Sequence, residues 1–166
     1  MKFAILVSVA AFLSSANAVQ ITITNSCSKE LTVLAMSDGE RPFPKEGRKF
    51  AVGETFNVTV NPTDKSWKGA FLSTDIKHTT APSLILRLEG QVDLYGVSAT
   101  NEGSIEVSAS IQPSRDSCPP VLCSEDKREN CYPAPKEDYS KLHVCTPSDY
   151  VITFCPKVAS EKFLTM

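Results

Sequence analysis

Six cysteines, Cys27, Cys118, Cys123, Cys131, Cys145 and Cys155, have the most chemistry to offer in this sequence, and their spacing decides which chemistry. A metal centre would need Cys and His ligands at short, fixed intervals. No Cys-x-x-Cys occurs, and His78 and His143 lie outside any tight cysteine cluster, so neither a metal nor a cofactor is expected. A cysteine–histidine nucleophile pair would need a free thiolate. An even cysteine count in an exported chain of this size instead suggests a disulfide framework. His143, close to Cys145, then reads as a strand-end or surface histidine that tunes local charge near neutral pH. His78, in Lys77-His78-Thr79-Thr80, reads as part of a polar loop.

Paired carboxylates are the other chemistry open to the chain. Cleaving a glycosidic bond takes two carboxyls across it, about 5 to 5.5 Å apart for retention or about 6.5 to 9.5 Å for inversion. Glu89 and Asp93 flank the Gly90-Gln91 turn between two predicted strands, and Asp75 approaches them if the neighbouring strand end lies alongside. Asp75, Glu89 and Asp93 are therefore the candidate ligand-binding acids. The plainer alternative is that all three are solvated turn and strand-end residues, the ordinary state of Asp and Glu. Gly-x-Ser-x-Gly, a phosphate-cradling glycine loop and His-Glu-x-x-His are all absent, so no catalytic residue is assigned. Trp67 with Phe71 offers a sugar-stacking platform or, more in keeping with a strand pattern, core side chains. Lys127-Arg128 reads as a solvated charged loop rather than a dibasic processing site.

The elements that would position these residues are strands. Residues 1–18 read as a signal peptide: Lys2, an apolar run from Phe3 to Leu13, and Ala16-Asn17-Ala18 as a small-x-small cleavage site. The chain is thus expected to be secreted and extracellular, beginning near Val19, with no transmembrane anchor. Cleavage moves the formal charge from -2 to -3, which argues against nucleic acid as a partner. Residues 19–157 suit one domain with a real core and 158–166 a tail. Short alternating or β-branched runs fall at 19–24, 30–36, 48–52, 55–60, 67–73, 83–89, 92–98, 104–111 and 149–154, separated by turn residues. The fold class is all-β, an antiparallel β-sandwich with disulfide-stapled loops. In the run 104–111, Ile105, Val107, Ala109 and Ile111 share one face and Glu106, Ser108 and Ser110 the other, wet one. Residues 112–145 form a loop-rich excursion, in which Gln112 to Lys141 carries five prolines and three of the cysteines.

Strand ends narrow the cysteine pairing. Cys27 ends the first strand and Cys155 the last, and joining them closes a loop of 128 residues, which contributes about 4 to 5 kcal/mol in the chain-entropy model. Cys123 and Cys131 bracket a short charged loop that a local bridge can span, leaving Cys118 to reach Cys145. Sequential pairing, Cys118 with Cys123 and Cys131 with Cys145, stays open on spacing alone. Asn57-Val58-Thr59 is an N-x-Thr sequon that puts Asn57 on the solvent face of its strand with Phe56, Val58 and Val60 inward, a glycosylation site in a eukaryotic secretory route. Asn25-Ser26-Cys27 is a marginal acceptor.

Several segments, in order, resemble the thaumatin-like (osmotin, pathogenesis-related) family: ITITNSC, GRKFAVGETFNVTV, VDLYGVS, SCPPVLC…ENCYPAP and the ending VCTPSDYVITFCP. The resemblance implies a flattened β-sandwich, terminal strands joined by a bridge like Cys27–Cys155, and Cys118 paired with Cys145. It also implies a small, domain-deleted variant. The stretch from Tyr139 to Cys145 is too short for the loop-rich second domain of larger members, and losing that domain leaves Cys123 and Cys131 to pair with each other.

The departures bear on activity. Glucan-binding and glucan-cleaving members resemble one another in an acidic cleft of one arginine, one glutamate and three aspartates. By the resemblance the arginine falls near Ala70, the glutamate on Leu86, and two aspartates on Gly96 and Asn101, with the fifth residue in the deleted domain. The expectation is a secreted, monomeric, non-enzymatic defence-type or cell-wall-associated module. Its partner would be a cell-wall polysaccharide such as β-1,3-glucan, or a secreted protein. The alternatives are a weak endo-β-1,3-glucanase with antifungal action, or an apoplastic effector or hydrolase inhibitor working through the 112–141 loops.

Overall fold

Strand β1 (Val19–Asn25) buries Val19, Ile21, Ile23 and Asn25 and turns Gln20, Thr22 and Thr24 outward, the alternation a two-layer β fold requires. The computed structural model describes residues 18–38, 41–61, 67–73, 82–100, 105–134 and 142–157. The remaining strands are β2 (Leu31–Ser37), β3 (Arg48–Phe50), β4 (Thr55–Val60), β5 (Trp67–Ser73), β6 (Ser83–Leu88), β7 (Asp93–Thr100), β8 (Ala109–Pro113), β9 (Val121–Cys123), β10 (Tyr132–Ala134), β11 (His143–Cys145) and β12 (Tyr150–Phe154). A five-stranded sheet runs β4-β1-β12-β8-β9. A seven-stranded sheet runs β10-β7-β6-β5-β2-β3, with β11 also pairing β7. The inner faces meet in one core that includes Ile21, Ile23, Phe50, Phe71, Leu84, Leu86, Ile111, Ile152 and Phe154, all fully buried. Each such side chain contributes about 1.5–3 kcal/mol by leaving water.

Most pairings are antiparallel, but the two terminal strands lie parallel, Ile21 opposite Tyr150 through Asn25 opposite Phe154. Parallel pairing is what lets Cys27 and Cys155 meet, since each follows the C-terminal end of its strand and an antiparallel pair would hold them apart. Their Cα atoms are 4.8 Å apart. Cys155 has φ 52°, an uncommon conformation for a non-glycine residue, and its N–H donates to Ser108 O at 2.7 Å. Asn25 sits fully buried beneath this junction. Its Nδ2 donates to the carbonyls of Lys29, Phe50 and Ala51 while its Oδ1 accepts from Cys27 N–H. One side chain thereby fixes the end of β1, the Cys27 turn and the β3–β4 connection.

The remaining bridges are Cys118–Cys145 and Cys123–Cys131, the nested arrangement rather than the sequential one. The excursion is more regular than its composition suggests. It holds β9, β10, β11 and a short 3-10 helix, Glu125–Asn130, whose Glu125 ties back to Ile105 N at 2.7 Å. Among the described residues of the run 104–111, moreover, 105–108 are not strand. Ile105 N–H turns to a carboxylate instead of a neighbouring backbone, and regular pairing begins only at Ala109. Ser110, placed on the wet face by alternation, is buried between Thr153 and the buried Leu122 of the flanking strands. Of the signal-peptide assignment, 1–18, residues 1–17 lie outside the described residues, as does the tail, 158–166.

Candidate functional site

The tight β6–β7 connection separates two of the three candidate acids. Glu89 is exposed at the turn and sits 3.3 Å from Arg87. Asp93 falls on the inward register of β7 with Tyr95 and Val97 and is 1% exposed. Its Oδ2 accepts from Tyr150 Oη at 2.8 Å and from Ser148 N–H at 3.1 Å. Asp75 lies outside the described residues. Glu89 and Asp93 therefore do not form a shared surface patch: one faces water and the other is used up inside.

Around Asp93 the buried polar groups hold the two sheets together. Burial pushes the Asp93 carboxyl above its ordinary range, opposed by the hydrogen bonds from Tyr150 and Ser148 and by Arg115. Tyr150, on the five-stranded sheet, is raised by burial and by the Asp93 charge. Tyr95 Oη donates to Pro119 O at 2.6 Å, and burial pushes its phenol up to about 12. His143 stacks on Tyr95 at 5.6 Å, and burial lowers its pKa so that the ring is neutral at pH 7. The neighbouring Cys145 is consumed in a disulfide, so no thiolate accompanies the histidine. Asp93, Tyr95 and Tyr150 are thus buried and committed to hydrogen bonds within the fold.

The outer face of the seven-stranded sheet is where the resemblance would put an acidic cleft. Met36 of β2 lies opposite Ala70 of β5, Ala70 opposite Ile85 of β6, and Ile85 opposite Gly96 of β7, one continuous row across four strands. Leu86 points the other way and is fully buried in the core. A side chain at Gly96 would have to displace Leu142, whose Cδ2 would stand 2.8 Å from an added Cβ. Met36, Ala70 and Ile85, with Asp38, Lys68 and Arg87 at one end, line an open depression of about 460 Å³. Asp38 Oδ1 accepts from Lys68 N–H at 2.9 Å. Along the sheet Arg87 pairs with Leu94, and Leu94 with the exposed Val144, so the apolar surface continues beyond the row. Asn101, the remaining mapped position, lies outside the described residues.

The other sheet presents a different face. Gln20 bonds Thr59, Thr22 Oγ1 donates to Asn57 Oδ1 at 2.9 Å, and Thr24 pairs with Thr55 at 3.0 Å. Asn57 is exposed, with Val58 and Val60 buried and Phe56 half-buried, as its alternation requires. Beside this face, Ser114, Arg115, Pro147, Ser148 and Asp149 line a polar hollow of about 500 Å³ next to Val19.

Trp67 is 5% exposed and packs near Phe71 at 6.4 Å, so it is a core residue rather than a stacking platform. Its ring folds over Gly69, where an added Cβ would run into the indole. Lys127 and Arg128 lie in the 3-10 helix, and Arg128 pairs with Glu125 at 2.7 Å. His78 lies outside the described residues. Among the described residues no three of His, Cys, Asp and Glu are grouped to hold a metal ion, and no helix is long and apolar enough to cross a membrane.

Sequence reasoning weighed Asn25 only as a marginal glycan acceptor, missing its fully buried role at the junction, and missed Leu142 altogether. Asn25 carries a weak signal, an amide directly before the cysteine that closes the domain. Leu142 carries none, since its meeting with Gly96 is purely three-dimensional.

No protein-family model matches the sequence, and no curated protein matches it. Solved structures do match in shape. The protein elicitor MoHrip2 from Magnaporthe oryzae superimposes with a TM-score of 0.62 at 17% identity, over 84% of this chain and 100% of that one. The thaumatin-like xylanase inhibitor TLXI superimposes with a TM-score of 0.56 at 15% identity, over 82% of this chain and 99% of that one. At such identities the likeness fixes the fold, which is thaumatin-like.

Proposed function

We propose that this chain of thaumatin-like fold is a secreted, non-enzymatic defence-type or cell-wall-associated module that binds a secreted protein through the outer face of its seven-stranded sheet. The observation that carries this reading is the row Met36, Ala70, Ile85 and Gly96, which has no carboxylate where hydrolysis of a glycan would require two. An apolar strip with charges at one end is the composition of a protein-binding patch, in which apolar contact supplies affinity and the charged rim supplies register. The similarity in shape to a xylanase inhibitor and to an elicitor supports a protein as partner. A polysaccharide such as β-1,3-glucan is the second reading, favoured by the open, shallow depression beside Lys68 and Arg87.

The test is to titrate the purified protein against secreted glycoside hydrolases, with a pulldown on insoluble β-1,3-glucan in parallel. Saturable loss of hydrolase activity, abolished by Ile85→Asp, supports the protein reading. Glucan pulldown abolished by the same substitution supports the second. Binding in either assay that survives Ile85→Asp places recognition elsewhere and rejects this face.

A further inference from the structure

We propose that Asn57 carries an N-linked glycan that lies across the outer face of the five-stranded sheet and covers it. Three features of that face favour this modification over a protein partner. Asn57 is exposed on β4, the edge strand, so a branched sugar can leave it without crossing another strand. Its Oδ1 is occupied by the Thr22 hydroxyl, which turns Nδ2, the atom that is glycosylated, away from that bond. The register neighbours are short and uncharged: Thr22 beside Asn57, the Thr24–Thr55 pair on one side, and Gln20 with Thr59 on the other. On β1 and β4 this is a flat bed of hydroxyls and amides without charges or large apolar groups, with Val151 of β12 as the exposed apolar side chain beside it, and such a bed suits a saccharide lying along it while offering a protein partner few anchors.

The modification balances as a simple transfer. Nδ2 bonds to the anomeric carbon of an oligosaccharide, the bond from that carbon to a lipid diphosphate breaks, the diphosphate leaves with the electron pair, and the amide proton passes to a base of the transferase. Val151 of β12 is in register with Thr22, two strands from Asn57 and thus about 10 Å away. It is 41% exposed, within reach of the first sugars and well placed to report on them.

The test is secretion of the full chain from a eukaryotic host, with Val151→Lys as a reporter on this face and Met36→Lys as a reporter on the other sheet. Mass spectrometry should find a glycan on Asn57 that Asn57→Gln and Thr59→Ala both remove and Thr59→Ser retains. Acylation of the reporter at 151 should be several-fold slower in the glycosylated protein than in its Asn57→Gln counterpart, while the reporter at 36 reacts equally in both. Absence of carbohydrate at Asn57 overturns the proposal. So does carbohydrate that leaves the rate at 151 unchanged. Intact-mass counting of three disulfides in each variant excludes misfolding as the cause of either result. Neither result depends on whether the seven-stranded sheet binds anything.

Discussion

The two sheets of this molecule have divided their labour. In the five-stranded sheet the terminal strands pair in parallel, a bridge joins their ends, and Asn25 ties the junction to the next connection, while the outer face is a short ladder of threonines and amides. In the seven-stranded sheet the outer face is an apolar row, with Leu142 laid over Gly96. One sheet closes the fold and the other offers a surface. A fold can thus keep its closure while the residues on one outer face change completely, because closure rests on register and burial and a cleft rests on a few outward side chains.

The largest test of that division breaks the closure. Replacing Cys27 and Cys155 by serine should lower the unfolding free energy by about 4 to 5 kcal/mol in the chain-entropy model, read by urea denaturation. A loss no larger than that of a surface substitution would show that parallel pairing alone holds the ends. Asn25→Ala should cost about 3 kcal/mol, because it removes a hydrogen-bond partner from the Cys27 N–H and from the carbonyls of Phe50 and Lys29. An effect under about 1 kcal/mol would assign the junction to the disulfide alone.

Between the sheets, Asp93 gives a pH-dependent test. Its folded pKa lies above its unfolded one, so the folded state holds the proton more tightly, and ionising Asp93 subtracts from stability. That cost is fully present above the folded pKa and disappears as pH falls below the unfolded value of about 3.9. Asp93→Asn, followed over a range from about pH 4 to 7, should therefore flatten the pH dependence and gain on the native chain as pH rises. Equal stability differences at both ends of that range would remove the charge from the explanation. The smallest stability effect belongs to the other outer face. Met36→Asp, at a position 52% exposed, should shift stability by no more than about 0.5 kcal/mol and yet weaken partner binding.

The closure was readable in the chain, because two strand-ending cysteines and alternating apolar residues are local signals. The parallel sense of β1 and β12 follows from those cysteines only once the bridge is accepted. The short strands β9, β10 and β11 were hidden because proline, cysteine and charge mimic loop composition, and what makes them strands is the neighbour each pairs with. The site was less legible. Ala70 and Gly96 could be matched to family positions in sequence, but their alignment with Met36 and Ile85 in one row depends on the registers of three strand pairs. Asp93 looked like a partner for Glu89 because turn-flanking acids usually face water. Its inward register and the hydroxyl of Tyr150, 57 positions away, determine otherwise.

The most direct measurement incubates the purified, fully bridged chain with laminarin from about pH 4 to 8, the range in which carboxylate pairs work, and counts reducing ends. The account predicts none above the blank at any pH. Sugar release by the intact chain that disappears in Glu89→Gln or Asp38→Asn would contradict it, because a surface carboxylate would then be doing chemistry that an apolar row cannot support.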